Sequence, residues 1–318
     1  MVYIVILNWN GYKDTIECLK SIEDSFYKET KIIIVDNNSF DDSLNQIESF
    51  SKKSNLDIHV IANDENSGFS KGCNIGIDYA LSNSDCNYVW LLNNDTEIEK
   101  NTIFEMVSFL NKNPDYQVIT PQINYYDSKE LIWNCGGTIS KLGFRKYYYP
   151  KKNQNILPNE LFLDVSFLTN CASFFRSDFF MTGYRLDERF FFGEEDFSLG
   201  LYCLKNKIKM ACILTSKIYH KVSSSIQKQT DKSEDKYFIH YMNRLIDMKT
   251  YYENDFIFRP YLYLYFLYIR KLLANKITDF KQFKKDMLIS VYKYEDVSKD
   301  IFEKVMKDGY HTFVTEGL

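Results

Sequence analysis

The chain has 318 residues, enough for one large domain or two smaller ones with a full hydrophobic core. Apolar residues make up 45% and charged residues 26%, a composition that excludes disordered and fibrous proteins. A net charge of −4 argues against a dedicated nucleic-acid binder, so no nucleic-acid partner is predicted. Seven cysteines without a Cys-x-x-Cys pair argue against a disulfide framework or structural zinc, and favour a reducing cytoplasm.

Strands and helices alternate through the first hundred residues. Continuous apolar runs predict strands at 2–7, 32–35, 58–61 and 88–92, with a helix after each. This βαβ series predicts an α/β fold with a mostly parallel sheet. Beyond residue 115 the pattern loosens into a loop-rich stretch at 125–190. A strand at 209–214 and a helical end from about residue 236 follow.

Polar clusters follow each of the first four predicted strands. They begin at Asn8, Asp36, Asn63 and Asn93. One such cluster is typical of an ordinary turn, but four at the same sheet edge indicate a ligand site, because open α/β sheets bind ligands there. Asp36 could hold a nucleobase or ribose, or cap the next helix. Asp95, in the fourth cluster, is suited to a divalent cation against a phosphate.

Three further features carry alternatives. Gly68, Gly72 and Gly76 lie four apart, which allows either a ligand or a neighbouring strand to approach a helix closely. The acids 194–196 follow three phenylalanines and either complement a helix dipole or supply a general base. His220, after the strand at 209–214, is either structural or a metal ligand.

In their order, these elements resemble glycosyltransferase family 2, which has the GT-A fold, over about residues 2–225. The matching motifs are the opening strand with Asn8, the V-D-N-x-S element at Asp36, the N-x-G-F-x-x-G-x-N-x-G element from Asn66, the L-N-x-D-T form at Asp95, a segment from Arg176 to Phe191, the E-D pair Glu195-Asp196 and the H-x-x-S element at His220.

The resemblance implies inverting transfer of a sugar from a UDP- or dTDP-sugar to a growing surface glycan or lipid-linked acceptor. Within the family, the overall pattern resembles that of rhamnosyltransferases. Asp196 would be the general base and Glu195 its support. Asp95 and His220 would hold Mg²⁺ or Mn²⁺. Glu194, Arg176 and Trp133 would bind the acceptor. The nucleotide-sugar ligands would be Asn8, Asn10, Asp36, Asn38, Asn66, Gly68, Lys71, Asn74, Asn94 and Asp95.

The chain departs from the family pattern at three positions. Asn93 replaces the first Asp of a D-x-D motif, which leaves one carboxylate for the metal. The acidic run is one residue longer than usual, so Glu195 is an alternative base. Tyr202 replaces a frequent Arg. Two other classes stay open: a sugar nucleotidyltransferase, which the lack of a basic loop after the first strand disfavours, and a non-catalytic subunit.

The predicted domains are a catalytic domain at 1–230, with a nucleotide half (1–115) and an acceptor half (116–230), and a helical region at 231–318. Residues 261–269 are all apolar or aromatic, and 256–290 carries seven Lys or Arg against two Asp, a net +5. This composition favours a peripheral contact with the inner face of a membrane. A buried helix or a homodimer contact is the alternative.

Overall fold

A computed structural model describes residues 1–222, 233–252, 259–269 and 277–317. The strands are β1 (Val2–Asn8), β2 (Thr30–Asp36), β3 (Ile58–Ala62), β4 (Tyr88–Leu91), β5 (Thr96–Ile98), β6 (Tyr116–Tyr125), β7 (Ile132–Asn134), β8 (Gly137–Ile139), β9 (Arg145–Tyr147), β10 (Phe162–Val165), β11 (Phe174–Arg176) and β12 (Lys209–His220). The helices are α1 (Tyr12–Glu23), α2 (Ser43–Ser51), α3 (Phe69–Leu81), α4 (Thr102–Lys112), α5 (Glu195–Lys205), α6 (Ser233–Tyr251), α7 (Arg259–Ile269), α8 (Phe280–Lys293), α9 (Lys299–Asp308) and α10 (Tyr310–Glu316).

The chain folds into two compact units. The first comprises Met1–Ile139, Arg145–Leu186 and Leu199–Ser223, and the second comprises Ser140–Phe144, Asp187–Ser198 and Ser224–Leu318. The division into domains at 1–230 and 231–318 stays a prediction.

A mixed, mostly parallel sheet forms the centre of the first unit, as predicted. Its strand order is β10-β12-β6-β11-β4-β1-β2-β3. Outside this order, β5 pairs with β12 and β7 pairs with β6. Strands β4, β1, β2 and β3 run parallel to one another. The antiparallel β11 lies between β4 and β6. Since β6 and β12 are parallel to each other and β11 opposes both β4 and β6, β12 runs in the same direction as β1.

The residues of β1 alternate between two hydrophobic layers. Val2, Ile4 and Ile6 belong to the core layer that holds the buried residues of α1 and α4. Tyr3 and Val5 belong to the opposite layer, with residues of α3 and α5. A strand buried on both faces has to be apolar throughout, which is why the alternation of a half-exposed strand is missing from the sequence.

One predicted strand end was wrong, and one strand was not predicted. The strand predicted to end at 214 continues to His220, so His220 is its last residue rather than part of a following loop. The pattern after residue 115 hides β6, a ten-residue strand whose seven central residues are buried. Its polar residues Thr120, Gln122 and Asn124 are buried too, and they broke the apolar signal.

The second unit packs its own aromatic core. Phe238 on α6 contacts Phe283 on α8 and stacks on Tyr310 of α10, with ring centroids 5.7 and 4.7 Å apart. Side-chain caps begin both α8 and α9. At the start of α8, the Asp279 side chain accepts a hydrogen bond from the backbone N–H of Gln282 at 3.0 Å. Within the described ranges, no helix is long and apolar enough to cross a membrane.

Candidate active site

The carboxyl ends of the parallel strands meet at one edge of the sheet. Asn8 at the end of β1 is in register with Asp36 at the end of β2. Successive strands are added on opposite sides of β1, with β2 on one side and β4 on the other. Such a switch point is where open α/β sheets bind ligands.

Asp36 organises the turn after β2. Its Oδ1 accepts from the backbone N–H of Ser39 at 2.9 Å, and its Oδ2 accepts from Ser39 Oγ and Asn8 Nδ2, both at 2.7 Å. The alternative that Asp36 caps the next helix is wrong, because α2 begins after Asp42. Asp36 therefore shapes the site edge and is itself 2% exposed.

A chain of side-chain hydrogen bonds joins this turn to the turn after β4. Asn94 Nδ2 donates to Thr15 Oγ1 at 3.1 Å, and Thr15 Oγ1 donates to Asn8 Oδ1 at 2.8 Å. Asn8 then bonds Asp36. The turns that contain Asp95 and Asp36 are 59 residues apart in sequence, and this chain of hydrogen bonds joins them into one polar network.

The other predicted asparagines fix loops at the same edge. Asn10, at φ 52°, accepts from the backbone N–H of Phe40 at 2.9 Å. Asn66 accepts from Asn37 Nδ2 at 2.9 Å, and the same Nδ2 donates to the carbonyl of Gly68 at 3.1 Å. Asn38, at φ 58°, is exposed. Of these, Asn10 combines a left-handed backbone with a side-chain contact that fixes its loop.

Asp95 and His220 are brought together by the pairing of β5 with β12. His220 lies opposite Thr96, and the N–H of Lys221 donates to the carbonyl of Asp95 at 3.0 Å. Asp95 Oδ1 is 3.0 Å from His220 Nε2, and both side chains are buried. The Trp133 ring packs edge-on against the imidazole at a centroid distance of 4.4 Å.

The separation of this pair is that of a direct ion pair, and it is also compatible with two ligands of one divalent cation. Neighbouring ligand atoms of an octahedral ion with bonds of about 2.1 Å are about 3.0 Å apart, which matches the Asp95–His220 separation. His220 Nδ1 is buried without a hydrogen-bond partner in the described part of the chain. No group of three His, Cys, Asp or Glu side chains that could hold a metal occurs among the described residues. Magnesium prefers oxygen ligands, and its sites in proteins are commonly completed by phosphate oxygens and water.

Most of the glycine-rich segment is structural. A Cβ on Gly72 would lie 2.5 Å from Leu7 Cδ1, so the glycines on α3 serve close helix–sheet packing. Asn74 bonds both backbone groups of Leu186, each at 2.9 Å. Lys71 is exposed, 3.6 Å from Glu65.

Arg176 is not brought to this edge. It is in register with Tyr88, at the start of β4, and therefore lies at the opposite end of the strands. Its guanidinium donates to the carbonyls of Tyr116, at 2.9 Å, and Leu110.

In the second unit, the acidic turn before α5 is built around Glu194. This side chain is buried and its backbone adopts φ 72°. The Arg244 guanidinium on α6 donates to both carboxylate oxygens of Glu194, to one of them at 3.0 Å. His240 Nδ1 lies 2.8 Å from Glu194 Oε1. Burial alone would lower the pKa of Arg244, but the charge of Glu194 raises it above its ordinary value.

Glu195 and Asp196 occupy the first turn of α5, where carboxylates are favoured by the helix dipole, and both are half-buried. Two residues later, Ser198 Oγ donates to Asp247 Oδ2 at 2.6 Å. Burial raises the pKa of Asp247 to about 8.

Sequence reasoning missed Thr15, Arg244 and His240. Thr15 sits on a helix face with no motif around it. Arg244 and His240 lie about fifty residues beyond Glu194 in a helix whose sequence shows only amphipathic spacing. A buried arginine and its carboxylate partner leave no local signal.

The fold and the edge network define a GT-A α/β protein. The description "Glycosyl transferase family 2" belongs to a family model that matches residues 3–183, more than half of the chain. The chain belongs to glycosyl transferase family 2.

Individual proteins are similar over different extents. The low-salt glycan biosynthesis hexosyltransferase Agl10 of Haloferax volcanii is 30% identical over 120 residues, 38% of this chain and 36% of the relative. The chain thus matches about a third of that curated relative's length.

Several solved structures share the fold. S. aureus TarS 1-349 in complex with UDP-GlcNAc has a TM-score of 0.57 at 13% identity, over 98% of this chain and 83% of that one. GalNAc-T7 with UDP, GalNAc and Mn²⁺ has a TM-score of 0.65 at 14% identity, over 99% and 57%.

Proposed function

We propose that this chain is an inverting glycosyltransferase that moves a hexosyl or deoxyhexosyl unit from a UDP- or dTDP-sugar to a hydroxyl of a growing surface glycan or lipid-linked acceptor. The observation that carries the proposal is the polar network from Asp36 through Asn8 and Thr15 to Asn94, beside the Asp95–His220 pair. Family membership and the UDP-containing neighbours support a nucleotide-sugar donor.

On the donor side, the buried Asp36 and Asn8 would position the turns that contact the nucleoside, and Asn10, Asn38 and Asn66 would shape its pocket. Asp95 and His220 would hold Mg²⁺ or Mn²⁺ together with the diphosphate. The bound cation would neutralise charge on the leaving nucleoside diphosphate. The Mn²⁺ in the GalNAc-T7 structure supports a metal of this type.

On the acceptor side, Asp196 would remove the proton of the acceptor hydroxyl as its oxygen attacks the anomeric carbon and the diphosphate leaves. Glu195 would support this base, and Glu194, already bound by Arg244 and His240, would shape the acceptor loop. Trp133, against His220, would border the acceptor. Arg176 has no part in the proposal, because it lies at the other end of the strands.

A panel of UDP-, dTDP- and GDP-sugars with Mn²⁺ tests the donor. Binding is read by thermal shift and turnover by release of the nucleoside diphosphate. A stabilising shift confined to one nucleoside class is expected. No shift with any sugar nucleotide would refute the proposal, and binding without turnover on glycan acceptors would favour a non-catalytic subunit.

Three substitutions separate the roles. Asp196→Asn should abolish transfer and leave donor binding unchanged, whereas Asp95→Ala should weaken both. Glu195→Gln is the matched control, with a smaller loss of transfer. Full activity of Asp196→Asn together with inactivity of Glu195→Gln would move the base to Glu195.

A further inference from the structure

Helix α7 exposes an aromatic face that soluble helices normally bury. Residues Tyr263, Leu264 and Leu267 are buried, and the Tyr263 ring stacks on Phe144 at 4.7 Å. The opposite side is exposed: Tyr261 48%, Leu262 45%, Tyr265 57%, Phe266 36% and Tyr268 43%. At about 100° per residue these five span an arc of about 160°, so they form one continuous face. A helix that is apolar all round is ordinarily buried on all sides.

Helix α8 extends this face with positive charge. Tyr268 stacks on Phe280 at the start of α8, with centroids 4.3 Å apart. At the other end of α8, Tyr292 is 48% exposed. Lys281 and Lys285 are exposed and fall on the same side of α8 as Tyr292, at spacings of four and seven residues. Lys281 and Lys285 are therefore exposed on the helix that meets the aromatic face of α7 at Tyr268.

We propose that the exposed faces of α7 and α8 (Tyr261, Leu262, Tyr265, Phe266, Tyr268, Lys281, Lys285 and Tyr292, the aromatic–lysine face) bind the surface of an anionic lipid bilayer. Tyrosine rings suit the boundary between headgroups and acyl chains, since one end is apolar and the other forms hydrogen bonds with water. Lysines beside such a face are attracted to anionic headgroups.

The positive charge near the aromatic–lysine face favours an anionic bilayer over a second copy of this chain as its partner. The chain as a whole is acidic, at −4, while residues 256–290 carry a net +5 in sequence. A twofold self-contact would place the same lysine-bearing patch on both sides, whereas an anionic bilayer complements it. With the helix lying in the interface plane, no membrane span is required.

The role of this membrane contact, to bring a lipid-linked acceptor to the enzyme, rests on the proposed function. The contact itself stands on the geometry of α7 and α8. Flotation and donor binding therefore fail independently of each other.

The test is flotation of the full chain with vesicles of phosphatidylcholine alone and of phosphatidylcholine with phosphatidylglycerol. Binding to the anionic vesicles only, lost at high salt, is the expected result. Leu262→Ser/Tyr265→Ser should reduce the bound fraction about tenfold or more. The matched control, Ile156→Ser/Leu161→Ser, removes two exposed apolar side chains elsewhere and should float as the parent does.

A second pair of variants isolates the charge. Lys281→Gln/Lys285→Gln should weaken flotation on anionic vesicles, and Lys52→Gln/Lys53→Gln, two exposed lysines of the first unit, should not. Donor-induced thermal shifts should be the same in all four variants, which shows that they fold. Failure of the parent chain to float on anionic vesicles would overturn the proposal. So would a concentration-dependent dimer that Leu262→Ser/Tyr265→Ser converts to monomer without any vesicle binding.

Discussion

Asp36 accepts three hydrogen bonds on one carboxylate, so its replacement tests the donor edge. In Asp36→Asn one oxygen becomes an amide donor, which has to face Asn8 Nδ2 or the Ser39 N–H, and both of these are donors. We expect a loss of about 1–3 kcal/mol in the free energy of unfolding, measured by urea denaturation. UDP binding should weaken as well. Asp64→Asn, at the exposed acid that follows β3, is the control, and equal stability of both variants would show that the Asp36 network is not needed.

Asp95 is the one carboxylate in the predicted metal motif, because Asn93 occupies the other position. Asp95→Asn keeps the side-chain shape but removes the charge that a hard cation requires. We expect the apparent affinity for Mn²⁺ in the presence of UDP to fall about 10–100-fold, measured by calorimetry. The exposed Asp115→Asn should leave it unchanged. Unaltered Mn²⁺ binding in Asp95→Asn would remove Asp95 from the metal site.

At the scale of elements, α3 lies against the sheet through its glycines. A Cβ on Gly76 would overlap Val5 Cγ1 and come within 3.2 Å of Val35 Cγ2, and both valines are buried in strands. Overpacking of this kind costs about 1–3 kcal/mol, more than the ~1 kcal/mol by which alanine favours a helix. Gly76→Ala should therefore lower the urea midpoint.

A double-mutant cycle checks this cause. Val5→Ala removes the methyl group in conflict, so Val5→Ala/Gly76→Ala should lose less stability than the two single changes added together. Strict additivity would mean that the Gly76→Ala loss has another origin, such as a shift of the helix.

The strands and helices of the first hundred residues could be predicted because each carries its own periodic signal. Buried apolar runs such as 2–7 and 32–35 read directly as parallel strands. Strand β11 could not be predicted, because three residues inserted antiparallel between β4 and β6 depend on long-range pairing. The family resemblance placed Arg176 beside the acceptor, whereas β11 runs away from the site edge and carries Arg176 to the opposite end of the strands.

The candidate site divides in the same way. Asp36, Asn8 and Asp95 follow strands, and strand order brings such residues to one edge. Partners supplied by distant helices, such as Arg244 for Glu194, had no signal. A family resemblance can point to the acids at 194–196, but only packing shows that Glu194 is already held by two cations.

At the scale of the whole molecule, the second unit contains a buried acid whose ionisation links its stability to pH. Asp247 is fully buried, accepts from Ser198 Oγ, and lies 3.1 Å from Arg189 Nη2. Burial raises its pKa to about 8, well above the ordinary value of 3.8. Between these pH values the folded state keeps a proton that the unfolded chain releases. The contribution of Asp247 to stability is therefore complete below about pH 4 and is lost as the pH rises towards 8.

Asp247→Asn removes this titration while keeping an acceptor for Ser198. Relative to the parent, the variant should gain stability as the pH rises from 5 to 8, by at most about 1.4 kcal/mol per pH unit, and the difference should level off above 8. Urea denaturation at several pH values, followed by near-UV circular dichroism, measures it. Asp296→Asn, at an exposed acid of the same unit, should show no such trend. A difference between Asp247→Asn and the parent that does not vary with pH would mean that Asp247 is ionised in the folded protein, with Arg189 compensating its burial.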